Sequence, residues 1–160
     1  NWLPVMQAYA ARRPSYFGTP AVNLVFALNV ALGQILAEGL EQRLARHQLL
    51  SRMCQAGIAA LGLGQVPLQS EFAAHTLTAP RYPVGVDGAA FLAKAAQAGV
   101  VLAGGLHPAI KAEYFRIGHM GAHTPGDVLA TIGAVETALA GCGYAFEAGT
   151  GVKAAQAAGR

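Results

Sequence analysis

The residue whose chemistry is easiest to define is an arginine in an apolar segment. Arg116 lies between Phe115 and Ile117, and residues 114–121 read Y-F-R-I-G-H-M-G, without a carboxylate. A guanidinium keeps its charge in a protein, and a buried charge without a partner is strongly destabilising. Arg116 therefore either points to water or faces an anion, and the anion that we predict is a small carboxylate.

A glycine pair precedes this segment. Residues 100–103 read V-V-L-A and run into Gly104 and Gly105, which is the pattern of a buried strand that ends in a flexible turn. Two short strands, a glycine pair and Arg116 together indicate a carboxylate site. Spacing alone leaves another interpretation open, in which Arg116 lies on a strand surface or pairs with an internal acid. The candidate acids are Asp87, Glu113 and Asp127.

Tyr16 and Thr19 place two hydroxyls just before a predicted helix. Thr19-Pro20 is typical of a helix start, with a hydroxyl N-cap followed by proline in the first helical position. Free N–H groups and the helix dipole favour an anion there, so the pair is a candidate phosphate site. The alternative is an ordinary N-cap threonine beside a packed tyrosine.

No other pattern indicates a metal or a nucleotide. His119 and His123 are four residues apart, but Gly121 lies between them and no helix is expected there, so we predict no metal site. Glycine-rich nucleotide fingerprints and a nucleophile elbow do not occur. Cys54 and Cys142 are predicted to be free thiols in a reducing compartment.

Composition predicts one core and a surface that another domain or subunit covers. The 160 residues are 54% hydrophobic and 12% charged, against about 25% charged residues in an average domain. The net charge of +3 comes from scattered residues, so we expect no nucleic-acid partner. Residues 21–36 are apolar but shorter than the ~20 residues of a membrane span. They predict a helix that is buried inside a larger protein or in an interface, with no membrane.

Apolar spacing and turn residues predict the elements that position Arg116. From residue 75 to 140 the order is strand, helix, strand, strand, helix, which indicates a small α/β domain with helices on one face of its sheet. Residues 1–62 contribute a loop and helices that read like the middle of a larger protein. From residue 147 the chain is rich in Ala and Gly, and we expect an extended or disordered tail. The predicted helices are 20–37, 39–61, 88–98 and 125–140; the predicted strands are 65–68, 75–79, 100–103 and 114–117.

Several segments resemble one enzyme family, in the same order along the chain. They are N-W-L-P at 1–4, P-S-Y-F-G-T-P-A-V-N at 14–23, E-G-L-E-Q-R-L-A-R-H at 38–47, V-V-L-A-G-G-L at 100–106 and F-R-I-G-H-M-G at 115–121. These segments are similar to alanine–glyoxylate and serine–pyruvate aminotransferases, which are class V pyridoxal-phosphate enzymes. The resemblance covers the chain from its start to about residue 139.

The resemblance implies a fold and a domain organisation. It implies the small C-terminal α/β domain of a fold-type I pyridoxal-phosphate enzyme at residues 38–145, with a mostly antiparallel sheet and helices on one face. Residues 1–37 would then be the end of the large domain and a long linking helix, and residues 146–160 the Ala/Gly-rich tail.

The resemblance also implies roles for the candidate site residues. Arg116 would bind the substrate carboxylate, with Gly104 and Gly105 beside the substrate pocket. Tyr16 and Thr19 would contact the phosphate of the cofactor of the neighbouring subunit, pyridoxal 5′-phosphate. The implied assembly is a homodimer that acts on small amino and keto acids, moving an amino group from alanine or serine to glyoxylate.

The resemblance also implies a residue that this chain does not supply. Such an enzyme needs a lysine that forms a Schiff base with the cofactor, and none of Lys94, Lys111 and Lys153 fits that role. We therefore expect that lysine before Asn1, no catalytic residue in these 160 residues, and no activity from the chain alone. Two alternatives stay open: another class V transaminase or lyase, and an independent module that binds amino acids through Arg116. The expected location is intracellular, with peroxisome, mitochondrion and cytoplasm not distinguished.

Overall fold

The computed structural model describes the whole chain, residues 1–160, as two compact units, Asn1–Leu40 and Glu41–Arg160. The first unit contains α1, Leu3–Ala10, and α2, Val22–Glu38. No residue of α2 is buried. Its exposed large side chains are Val22, Leu24, Val25, Phe26, Leu28, Val30, Leu32 and Leu36. No single helix has the length and apolar character to span a membrane. Only α2 together with the next helix, Leu40–Ala60, is long and apolar enough, and the two are bent by 88° where they meet.

The start of α2 differs from the prediction. The helix begins at Val22, its N-cap is Ala21, and no side chain caps it. The Thr19 hydroxyl instead lies 2.7 Å from the Tyr16 hydroxyl, while the Val22 N–H donates to the Pro20 carbonyl in a turn. The prediction that Thr19 caps this helix is therefore wrong, because its hydroxyl is engaged by Tyr16.

The second unit is a mixed α/β domain. Its elements are α3 Leu40–Ala60, which starts at the unit boundary, a short 3-10 turn at Ser70–Phe72, β1 Leu77–Thr78, α4 Gly88–Gln97, β2 Ala103–Gly104, β3 Phe115–Gly118, α5 Pro125–Gly141 and α6 Thr150–Ala158. α4 and α5 each begin with a side-chain cap. Asp87 Oδ1 accepts from the Ala90 N–H at 2.8 Å, and Thr124 with Asp127 forms a capping box at the start of α5. Gly62 ends α3 with a φ of 76°, in the left-handed region.

The three strands form one antiparallel sheet in the order β1-β3-β2. In the register of this sheet Ala103 lies opposite Arg116, and Thr78 lies opposite Ile117. The predicted antiparallel sheet and α/β class are confirmed. The strand predicted at 100–103 is wrong for its first three residues, and Val101 is exposed. The Val100 N–H is not available for pairing with β3 because it donates to the Ala95 carbonyl at the end of α4.

One face of the central strand supplies the core. Phe115 and Ile117 are buried, whereas Arg116 between them is half-buried and points to the other face, as alternation along a strand requires. The Phe115 ring lies 4.6 Å from the Phe91 ring of α4, measured between centroids. Residues of α3, α5 and α6 complete the same cluster; among them are Leu50, Ile58, Ile132, Leu139 and Ala155.

The C-terminal segment is a helix that packs in the core. Glu136 of α5 is buried, and its carboxylate accepts three N–H groups at the start of α6: Gly149 at 2.7 Å, Gly151 at 2.8 Å and Val152 at 3.1 Å. The expectation of an extended or disordered tail is therefore wrong. A buried carboxylate on another helix satisfies donors that a short Ala-rich helix leaves free.

Candidate functional site

Arg116 is oriented by the neighbouring strand and has no acidic partner. Its Nε donates to the Gly104 carbonyl oxygen at 2.7 Å. Its two terminal nitrogens form no ion pair with a carboxylate of the chain. A half-buried guanidinium that is held at Nε keeps its two terminal nitrogens available for a bidentate contact with an external carboxylate.

The three acids that could have paired with Arg116 are engaged elsewhere. Glu113 pairs with Arg81 at 2.6 Å, Asp87 caps α4, and Asp127 caps α5. The Thr124 N–H and hydroxyl both donate to the Asp127 carboxylate and lower its pKa. The interpretation of Arg116 as one half of an internal ion pair is therefore excluded.

The loop after β2 packs on a tyrosine that leads into β3. Tyr114 is buried, and its hydroxyl oxygen accepts the N–H of Leu106 at 2.9 Å and that of His107 at 3.3 Å. These two donors stabilise negative charge on the oxygen and lower the pKa of the Tyr114 phenol. No sequence pattern distinguishes Tyr114 from any other tyrosine at the start of a strand.

The two glycines of the pair have different surroundings. A Cβ on Gly105 would lie 2.6 Å from both the Lys111 carbonyl oxygen and the Tyr114 ring, whereas one on Gly104 would lie 3.6 Å from the Leu92 side chain. The first distance is a collision with backbone, and the second is an ordinary contact. Gly105 is therefore required for close packing, and Gly104, which was expected in a turn, is a strand residue that contributes its carbonyl to Arg116.

Gly105→Ala is expected to lower the free energy of unfolding by about 1–3 kcal/mol, the usual cost of overpacking, because the loop must move away from Tyr114. The matched control is Gly104→Ala, for which a change of less than ~1 kcal/mol is expected. Urea unfolding of both variants measures the difference. Equal effects of the two substitutions would contradict the packing described for Gly105.

The histidine of the R-I-G-H-M-G segment lies in the interior. His119 is 2% exposed; its Nε2 lies 2.9 Å from the Thr78 hydroxyl, and its Nδ1 has no partner. Burial, with the added effects of His47 and His123, lowers the pKa of His119 to about 4. Burial likewise raises the pKa of the nearby Cys54 thiol to about 11, so Cys54 is not an activated nucleophile. The structure also brings no three His, Cys, Asp or Glu side chains together around a metal.

This histidine predicts acid sensitivity. Its pKa is about 4 in the folded chain and about 6.5 when unfolded, so between these values only the unfolded state binds the proton. The free energy of unfolding should therefore fall as the pH drops from 6.5 to 4, by up to about 3 kcal/mol. His119→Gln, which keeps an amide near the Thr78 hydroxyl, should flatten this dependence, and His75→Gln at an exposed position should not. Denaturant titrations at several pH values test this, and an unchanged slope in His119→Gln would refute it.

The second pair of predicted site residues lies in the first unit. Tyr16 and Thr19 are both exposed, with their hydroxyl oxygens 2.7 Å apart. The free helix N–H groups expected at Thr19 are not there, since α2 starts later. The phosphate role of the pair stays a prediction.

Comparisons with known proteins identify the family. No protein-family model matches the chain. It is 40% identical over 125 residues to alanine–glyoxylate aminotransferase 1 of Saccharomyces cerevisiae, covering 76% of this chain and 31% of that protein. An uncharacterized aminotransferase of Methanocaldococcus jannaschii is 39% identical over 127 residues, covering 79% of this chain and 32% of that protein. The chain belongs to the class V aminotransferase family of alanine–glyoxylate and serine–glyoxylate aminotransferases.

The three-dimensional comparison agrees with this assignment. The structure of pyridoxamine–pyruvate aminotransferase from Mesorhizobium loti matches with a TM-score of 0.85 and 35% identity, covering 92% of this chain and 38% of that one. The chain spans about a third of the length of the relatives it matches. This share is consistent with the C-terminal portion of an aminotransferase that the sequence predicted.

Proposed function

We propose that the chain carries the substrate-carboxylate site of an aminotransferase that moves an amino group from alanine or serine to glyoxylate. The observation that carries the proposal is Arg116, a half-buried guanidinium that is held at Nε by the Gly104 carbonyl and has no acidic partner. Amino donor and keto acceptor both present a carboxylate, so one planar guanidinium serves both halves of the reaction. By fixing that carboxylate, Arg116 would position the reacting carbon, where small displacements are costly in rate.

The cofactor that we propose is pyridoxal 5′-phosphate, and the residues fit part of its needs. In our proposal the adjacent exposed hydroxyls of Tyr16 and Thr19 exchange the hydrogen bond between them for bonds to one phosphate, to which each then donates its proton. When bound, the cofactor supplies an aldehyde that takes and returns the amino group, with a ring that withdraws electrons. In our proposal the phosphate bound by this pair belongs to the cofactor of a neighbouring subunit.

No lysine of the chain is suited to hold that cofactor. Lys94 lies on α4, where its side chain covers Gly141; Lys111 lies in an exposed turn, and Lys153 is exposed on α6. We propose that the lysine lies in a part of the enzyme beyond these 160 residues, and that the chain alone is inactive. The exposed apolar side chains of α2 support a further part of the proposal, a homodimer in which this helix is covered.

A donor and acceptor matrix tests the proposal on the full-length enzyme. Alanine, serine, aspartate and pyridoxamine are paired in turn with glyoxylate and pyruvate. We expect the highest kcat/KM for alanine or serine with glyoxylate. Preference for pyridoxamine, which has no carboxylate, would contradict the proposed substrate pair, because Arg116 could not bind that donor. Tight binding of alanine by the 160-residue chain alone would favour the independent binding module instead.

A further inference from the structure

We propose that Tyr114 is a positioning residue for the carboxylate site, in that its hydroxyl fixes the loop whose first carbonyl orients Arg116. This inference rests on the proposed function, since it assigns Tyr114 a role in the same site. The role is indirect. Tyr114 is not proposed to touch substrate or cofactor, and it acts through the backbone of residues 104–107.

The Tyr114 hydroxyl accepts from two consecutive backbone N–H groups, those of Leu106 and His107, at 2.9 and 3.3 Å. Two bonds from consecutive residues to one point fix both the position and the direction of the loop. A phenylalanine at this position would leave both donors without this acceptor.

The loop of residues 104–107 also packs closely on the Tyr114 ring. Gly105 lies so close to the Tyr114 ring and the Lys111 carbonyl that a Cβ would approach each to 2.6 Å. The ring therefore sets the distance of the loop from β3, and the hydroxyl sets its direction. Tyr114 is 7% exposed, so its own side chain has little freedom to move.

Gly104 connects this loop to the Arg116 guanidinium. Gly104 precedes Gly105 directly and is the last residue of β2, and its carbonyl accepts from Arg116 Nε at 2.7 Å. A shift of the loop would therefore turn this carbonyl and with it the plane of the guanidinium. A bidentate contact with a carboxylate depends on that plane, so a loosened loop weakens binding without removing the charge.

The experiment compares Tyr114→Phe with Tyr144→Phe in the full-length enzyme. Tyr144 is the matched control, because its hydroxyl also makes a backbone hydrogen bond, to the Leu61 carbonyl at 3.0 Å. The measurements are KM and kcat for the amino donor, the melting temperature, and the inhibition constant of acetate, whose only functional group is a carboxylate. For Tyr114→Phe we expect KM and the acetate inhibition constant to rise together, about three- to tenfold, with kcat changed less. For Tyr144→Phe both constants should stay as in the wild type.

Each outcome decides the inference. If Tyr114→Phe keeps the wild-type KM and acetate inhibition constant, Tyr114 does not position the site. If both constants rise equally in Tyr114→Phe and Tyr144→Phe, the effect is a general loss of stability and the inference also fails. Arg116→Lys, measured beside them, separates this from the proposed function. If Arg116→Lys raises both constants and Tyr114→Phe does not, only the inference fails. If Arg116→Lys also leaves them unchanged, the proposed function fails. Should Tyr114→Phe not fold, a tyrosine with one fluorine beside its hydroxyl, a weaker acceptor, replaces it and is judged by the same constants.

Discussion

Arg116→Lys is expected to raise the KM for the amino acid and to lower kcat/KM at least about tenfold, on the order of 1.4 kcal/mol. Lysine keeps the charge but loses the planar fork that binds both carboxylate oxygens. Its ammonium also has no Nε–H to donate to the Gly104 carbonyl, which holds the guanidinium in place. One substitution would therefore remove both the proposed bidentate contact with substrate and the hydrogen bond that orients the side chain.

The matched control is Arg81→Lys. The backbone of Arg81 also lies beside the sheet, where it forms an isolated antiparallel bridge with Tyr114. Its guanidinium, however, pairs with Glu113 at the surface, and both side chains are exposed. Such a pair contributes little to stability, and the full-length enzyme should keep its kinetic constants when Arg81 becomes lysine. Steady-state kinetics with alanine and glyoxylate measure both variants. Unchanged constants in Arg116→Lys would remove Arg116 from the site.

Glu136→Gln is expected to lower the free energy of unfolding by about 1–3 kcal/mol. The carboxylate accepts from three N–H groups at the start of α6. An amide of nearly the same size keeps one oxygen for Gly151 and Val152 but turns its NH2 group towards the N–H of Gly149, which the second carboxylate oxygen accepts in the wild type. Each buried donor left without a partner costs about 1–3 kcal/mol. The helix should also open locally, because no other side chain caps it.

Chemical denaturation and hydrogen exchange together test this prediction. The amides of Gly149, Gly151 and Val152 should exchange faster in Glu136→Gln than in the wild type. Glu113→Gln is the control, because it removes an exposed carboxylate whose pair with Arg81 contributes about 1 kcal/mol or less. If both variants unfold at the same denaturant concentration as the wild type, the carboxylate of Glu136 does not hold α6.

The sequence was sufficient where the information is local. Apolar spacing and turn residues predicted α3, α4 and α5, and the structure has these helices within a residue of the predicted ends. The sequence also predicted that Arg116 lies on a strand between two apolar neighbours, which the structure confirms. These elements follow from residues within a few positions of one another, so a linear pattern contains what determines them.

Contacts between residues distant in sequence decided the remainder. The helical state of α6 depends on Glu136, and the orientation of Arg116 depends on the Gly104 carbonyl. The conformation of the loop that follows Gly104 depends on the Tyr114 hydroxyl. Other glutamates, glycines and tyrosines of the chain do not make these contacts, so the residue type alone does not reveal them. The amino-acid sequence by itself determined α2 to α5, the α/β class and the identity of the cation. Only the tertiary structure decided which backbone group holds that cation and left its terminal nitrogens without an acidic partner, because a hydrogen bond requires positions in space that no sequence spacing specifies.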